Sequence, residues 1–262
     1  MATEEFWDGV GSRWAWFKEG VNPFFEIAAG AMKAGVSAVG IPTLAQDSWV
    51  VDIRNSWNTN WRHTRYAPFD QPSWFHVAQV YDGTALRLYI SGSEVGTQYG
   101  PSGTRISNQS GPLCLGGPSS SHISSGGKWK GRIGPVSFYS SALGSSRIAD
   151  HASATSLSSY TSQVLSDGPS AFWTLQELSG VLGDQIGALD FSVAEGSPIY
   201  GRPGPLGARA VEFDGGTLFT AVDDNLWSAA NFTMSAWILP FTEGITAARR
   251  PRVSVGILSV SA

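Results

Sequence analysis

Between Trp74 and Gly92 the order of residues spells out a β-hairpin. Val77 alternates with Ala78 and Gln79 up to Tyr81, Asp82-Gly83 supplies a turn, and Leu86, Leu88 and Ile90 then recur at every second position. Successive side chains on a strand point to opposite faces, so period-two hydrophobicity on both sides of a glycine-containing turn predicts two antiparallel strands.

The rest of the chain suits many short strands joined by tight turns. It holds 31 glycines and 14 prolines in 262 residues, and only 15% of the residues are charged. A 42% hydrophobic share can fill a core, so the chain is expected to fold, as one large β domain or two smaller ones. Eleven tryptophans are unusually many. A large apolar ring with a single donor suits a sandwich core, a protein interface and a sugar platform equally well.

Charge and cysteine content exclude several classes. A formal net charge of -4 argues against a nucleic-acid partner, and Arg249-Arg250-Pro251-Arg252 is too short a basic cluster to reverse that. Cys114 is the only cysteine, so no intramolecular disulfide can form; it sits in an apolar run and is expected in the core. The start, Met-Ala-Thr-Glu-Glu, has neither a basic segment nor an apolar stretch, and no run approaches a membrane span. The expectation is a soluble protein made in a cytoplasm without a secretory signal.

Candidate strands fall at 12–17, 24–28, 36–41 and 49–53 before the hairpin, and at 112–116 and 128–139 after it. A short helix-like segment follows at 145–151, and the Ser/Thr/Ala-rich stretch 152–162 is expected to be a linker. Further strand-like segments occupy 167–177, 210–215, 231–238 and 255–260.

The motifs Trp74-x-His76-Val-Ala78, Tyr81-Asp-Gly83 and Leu86-x-Leu88-Tyr89-x-x-Gly92 resemble the laminin-G-like, concanavalin A-type jelly rolls. The strand at 128–139 with its Ser141-Ala-Leu143 tail is similar to the one that ends such a domain, and 167–177, 210–215 and 231–238 are similar to the ones that open it. The resemblance therefore implies an all-β fold, an antiparallel β-sandwich. It also implies an unusual order: residues 1–151 carry the latter part of the pattern, 152–162 join, and 163–262 carry an opening half. Half a sandwich exposes apolar faces and strand edges. Three arrangements are open: the halves close within one chain as a permuted jelly roll, they exchange between copies, or each stretch folds separately.

The stretch 55–66, rich in tryptophan, asparagine and arginine, is the candidate binding surface. As a strand it would place Trp57, Trp61, His63 and Arg65 on one face and Arg62 on the other. Flat rings beside amide and guanidinium donors suit a glycan, whose C–H faces stack while its hydroxyls need directional partners; packing of Trp57 and Trp61 is the competing reading. Calcium would need several hard oxygens, for which Asp214, Asp223, Asp224 and Asn225 are the nearest supply, but a solvated turn fits them better and no cofactor is expected. No catalytic residues are expected either. Glu26, Glu94, Glu177, Glu195 and Glu212 stand singly, no Gly-x-Ser-x-Gly elbow occurs, His76 belongs to the hairpin, and no His/Cys group has metal-ligand spacing.

Asp167-Gly-Pro-Ser-Ala-Phe-Trp173 and Gly201-Arg-Pro-Gly-Pro-Leu-Gly207 are similar to segments of minor tail and other virion proteins of phages that infect actinobacteria. That resemblance implies a non-enzymatic, tail- or fibre-associated virion module on the particle exterior. Its partners would be other copies, other virion proteins and host cell-wall glycan. A capsid decoration protein and the carbohydrate-binding module of a secreted hydrolase are the alternatives.

Overall fold

A computed structural model describes residues 13–14, 16–18, 25–31, 47–54, 60–66, 73–99, 111–117, 127–223, 231–241 and 253–254. The first strands are β1 (Arg13–Trp14), β2 (Trp16–Lys18), β3 (Phe25–Ala31), β4 (Asp47–Arg54) and β5 (Asn60–Tyr66). They are followed by β6 (Phe75–Tyr81), β7 (Ala85–Ile90), β8 (Ser93–Tyr99), β9 (Gly111–Leu115), β10 (Gly127–Lys128) and β11 (Lys130–Tyr139). Two helices come next, α1 (Ser145–Ser153) and α2 (Leu157–Ser166). Strands β12 (Ala171–Trp173), β13 (Ser192–Glu195), β14 (Ile199–Pro203), β15 (Arg209–Asp214), β16 (Leu218–Asp223), β17 (Phe232–Pro240) and β18 (Val253–Ser254), with a 3-10 turn at Pro205–Gly207, complete the described elements. The expected strands at 36–41 and 255–260 lie outside the described residues.

The hairpin forms as its periodicity predicts. Tyr81 pairs with Leu86 and Val77 with Ile90 across β6 and β7. Asp82 locks the turn: one carboxylate oxygen accepts from the amides of Thr84 and Ala85 at 2.8 and 2.7 Å, and the other accepts from Arg87. Burial opposes ionisation there, but these bonds hold the Asp82 carboxyl well below the usual range.

The largest sheet runs β14-β15-β11-β17-β6-β7-β8, with β12 also on β11. A second runs β13-β16-β9-β2, and a third β10-β1-β3-β4-β5 with β18 on β3. The two stretches of the chain interleave in this plan. Strand β17 lies between β6 and β11, β12 and β15 follow one another along the far edge of β11, and β16 pairs with β9. The sandwich is thus closed within one chain.

Its interior joins the first two sheets. Val77, Leu88, Ile133, Phe138, Phe213 and Met234 from the large sheet share one core with Leu113, Leu115 and Phe219 from the second. Cys114, expected in the core, is fully buried against Leu218.

Residues 152–162 are a correction. In place of a linker they hold the end of α1 and half of α2. Ser156 caps α2, accepting from the Ser159 amide at 3.1 Å while the Ser159 hydroxyl reaches back to the Ser156 amide at 3.2 Å. Tyr160 and Val164, four apart, then form the buried stripe. Serine enrichment there marks a helix start rather than a disordered joint.

Candidate functional site

Helices α1 and α2 cover the outer face of the large sheet, the face turned away from the sandwich interior. Alternation along β17 sends Phe232, Met234, Ala236 and Ile238 into that interior and leaves Ser235 and Trp237 on the outer face. Cross-strand pairing sets His76 beside Trp237 and Ser137 beside Ser235, and it puts Tyr139 in the neighbouring row.

Onto this surface α1 lowers His151 and α2 lowers Tyr160. The His76 ring centre lies 5.3 Å from Trp237, 6.1 Å from Tyr160 and 6.2 Å from His151. His151 in turn is 5.7 Å from Tyr160 and 6.2 Å from Tyr139. His76, His151, Tyr139 and Tyr160 are all fully buried. The result is a sealed box of two imidazoles, two phenols and an indole, floored by the Ser137–Ser235 hydroxyl pair.

One wall of the box is ionic. His151 Nε2 lies 2.8 Å from Asp167 Oδ2, and Arg147 Nε donates to Asp167 Oδ1 at 2.8 Å. Arg147 also reaches Asp150 at 2.8 Å and Ser166 at 3.1 Å, so it ties the two helices together. Each oxygen of Asp167 therefore has a cationic or imidazole partner.

His76 has no such support. Among the described residues neither of its ring nitrogens has a hydrogen-bond partner, nor has the indole nitrogen of Trp237. Burial, reinforced by His151, lowers the His76 pKa to about 3, so the ring is neutral. Burial also lowers His151, with Asp167 pulling the other way. The Tyr160 hydroxyl is pushed up to about 12 by burial, against the pull of the Ser235 and Ser137 hydroxyls. Those serines influence Tyr160 from nearby, yet Tyr160 makes no hydrogen bond of ordinary geometry. A His–Asp pair beside serine and tyrosine hydroxyls has the parts of an acid–base relay; its imidazole and hydroxyls are fully buried, and only an edge of Asp167 reaches the surface.

In the sequence His76 reads as a hairpin residue, and nothing there marks His151, Tyr160, Asp167 or Trp237 as members of a site. The readable signals were the paired serines at 156 and 159 and the spacing of Ile148 with His151 and of Tyr160 with Val164.

The residues expected to bind glycan are placed only in part. Strand β5 carries Trp61, Arg62, His63 and Arg65, opposite Ile53, Asp52, Val51 and Trp49 of β4. Arg62 is thus in register with Asp52, which is in register with Glu26 of β3. Trp61 and His63 fall in rows with Phe25, Ile53, Ile27 and Val51. The side chains of these residues, and Trp57 altogether, lie outside the described residues. Of the oxygens weighed for calcium, Asp214 Oδ1 accepts from the amides of Gly216 and Thr217 at 2.8 and 3.0 Å, a turn-forming arrangement that lowers its pKa. The Asp223 side chain, Asp224 and Asn225 lie outside the described residues. No group of three or more potential metal-ligating side chains occurs among the described residues, and no helix there is long and apolar enough to cross a membrane.

Antiparallel sheets, a shared two-layer core and two short helices define a concanavalin A-like β-sandwich. The family model of the concanavalin A-like lectin/glucanases superfamily matches residues 13–149, more than half of the chain, and the protein belongs to that superfamily. No curated protein and no solved structure matches the chain. The matched segment ends inside α1, yet the large sheet is completed by β12, β14, β15 and β17, which lie beyond it. Membership makes the chain compatible with carbohydrate binding.

Proposed function

We propose that the protein is a non-enzymatic structural module of a phage virion, carried on the tail or a tail fibre, and that it contacts host-surface glycan. The observation that carries this reading is a lectin-type sandwich whose third sheet aligns Arg62 with Asp52 and Glu26 across three strands. Arg, Asp and Glu in one register row are residue types that supply the directional partners sugar hydroxyls require. A role without catalysis is supported by how five of the described carboxylates are used. Asp82, Asp167, Asp184, Glu212 and Asp214 each accept hydrogen bonds that hold a turn, a loop or an ion pair. The virion assignment rests on the likeness of residues 167–173 and 201–207 to tail-protein segments, and it puts other copies and other virion proteins alongside as partners.

A glycan array probed with the intact protein and with Arg62→Ala and Trp61→Ala tests the reading. Binding to a cell-wall glycan that either variant loses at an unchanged melting temperature is the expected result. Silence on every glycan, together with co-purification on a capsid, would replace it by the decoration-protein reading. Turnover of a bound glycan would make the protein an enzyme.

A further inference from the structure

We propose that the α1–α2 pair is an acid-released cover on the outer face of the large sheet, latched by the meeting of His76 and His151 inside one sealed box. The groups around the latch come from every element packed there. His151 arrives from α1, with Arg147 and Asp150 on the same helix. Tyr160 arrives from α2, and Asp167 caps the C-terminal end of that helix. Trp237 stands on β17 and Tyr139 on β11. Only His151 has a carboxylate at hydrogen-bonding distance, 2.8 Å from Asp167. His76 has none among the described residues, and neither of its nitrogens finds a partner there.

This asymmetry limits the box to one positive charge. A proton on His151 has Asp167 as counter-ion. A proton on His76 would sit among buried rings and neutral hydroxyls, with no carboxylate partner and facing a second imidazole. Water can accept that charge where the closed box cannot, so acid favours the form in which the helices have lifted. Because α1 and α2 join the body through a small buried set, Ile148, His151, Tyr160 and Val164, they can open without the sheet unfolding. Lifting exposes Ala78, Val80, Tyr139 and Trp237, a surface that is buried while the helices are in place.

Hydrogen exchange of the intact protein, followed by mass spectrometry from about pH 7 to about pH 4 and corrected for the intrinsic rate, reads the opening directly. The opening equilibrium for residues 145–166 is expected to rise about tenfold per pH unit below about 6.5 for each histidine that gains a proton. Residues 232–240 stay protected over the same range. His76→Phe should remove about one tenfold step per unit from that slope. A pH-independent opening, an opening that occurs only in step with residues 232–240, or a slope unchanged in His76→Phe would each overturn the proposal. Should His76→Phe fail to fold, the contrast between helix and sheet peptides in the unaltered protein decides alone.

Discussion

Ser137 and Ser235 sit directly opposite one another in the β11–β17 pairing, and their buried hydroxyls meet at 2.8 Å. One residue lies within the family-matched segment and the other well beyond it, so the bond joins the two stretches of chain at the centre of the sheet. Ser235→Ala leaves the Ser137 hydroxyl without that partner in a water-free place and should cost about 1–3 kcal/mol. The double variant Ser137→Ala/Ser235→Ala should cost less than the two single changes added together. Urea unfolding of all four proteins measures the coupling, and additivity would mean that the two hydroxyls act independently.

Two glycines are expected to respond in opposite directions. At Gly116 the backbone has φ +99°, and an added Cβ would fall 2.5 Å from the Phe213 ring and 2.9 Å from the Thr217 carbonyl oxygen. Gly116→Ala should therefore lose roughly 2 kcal/mol or more, seen as a lower melting temperature. Gly144 caps α1 with φ -69° and no side-chain bond, and an added Cβ there meets nothing within 4 Å. Gly144→Asp should raise stability by a few tenths of a kcal/mol, through capping and attraction to the start of the helix.

The neutral state of His76 makes global stability depend on pH. Its folded pKa, about 3, lies below the unfolded value of 6.5, so the unfolded chain binds the extra proton. The contribution is fully present above the unfolded value and is lost as pH falls from there toward the folded one. The full shift corresponds to several kcal/mol at most, about 1.4 for each unit. Denaturant unfolding at about pH 7, 5.5 and 4.5 should show the decline, and His76→Gln should flatten it. An equally steep decline in that variant would assign the effect to other groups.

The interleaving of strands predicts how fragments behave. Residues 1–155 alone lack β17, β12 and β15, which leaves β6 and β11 with open edges and the apolar interior uncovered. That fragment and the fragment 156–262 should each aggregate when produced singly. Produced together they should yield a complex with the near-ultraviolet spectrum of the whole chain. Stable, monomeric single fragments would contradict the shared core.

How far the sequence could be read depended on the range over which each signal acts. The hairpin at 75–90, the strand ending at Tyr139, the helix after Gly144 and the strands around Phe213 and Met234 each leave a local periodic trace, and all are found. The shared sheet was legible only as one of three arrangements, because pairing β17 between β6 and β11 is a long-range choice with no local mark. Helix α2 reads as a linker for another reason: serine favours loops and helix starts alike, and only the spacing of Leu157, Tyr160 and Val164 tells them apart. The box was hidden entirely. His76 and His151 are far apart in the chain, and nothing near either one announces the other.

The position of β17 has a consequence for synthesis. The strand that fills the middle of the largest sheet, residues 232–240, leaves the ribosome after almost every strand it touches or helps to enclose. Until then β6 and β11 each lack the strand that pairs with them, and their open edges can accept one from a neighbouring copy on the same message. Crowded translation is the moment at which chains of this design are most exposed to entanglement.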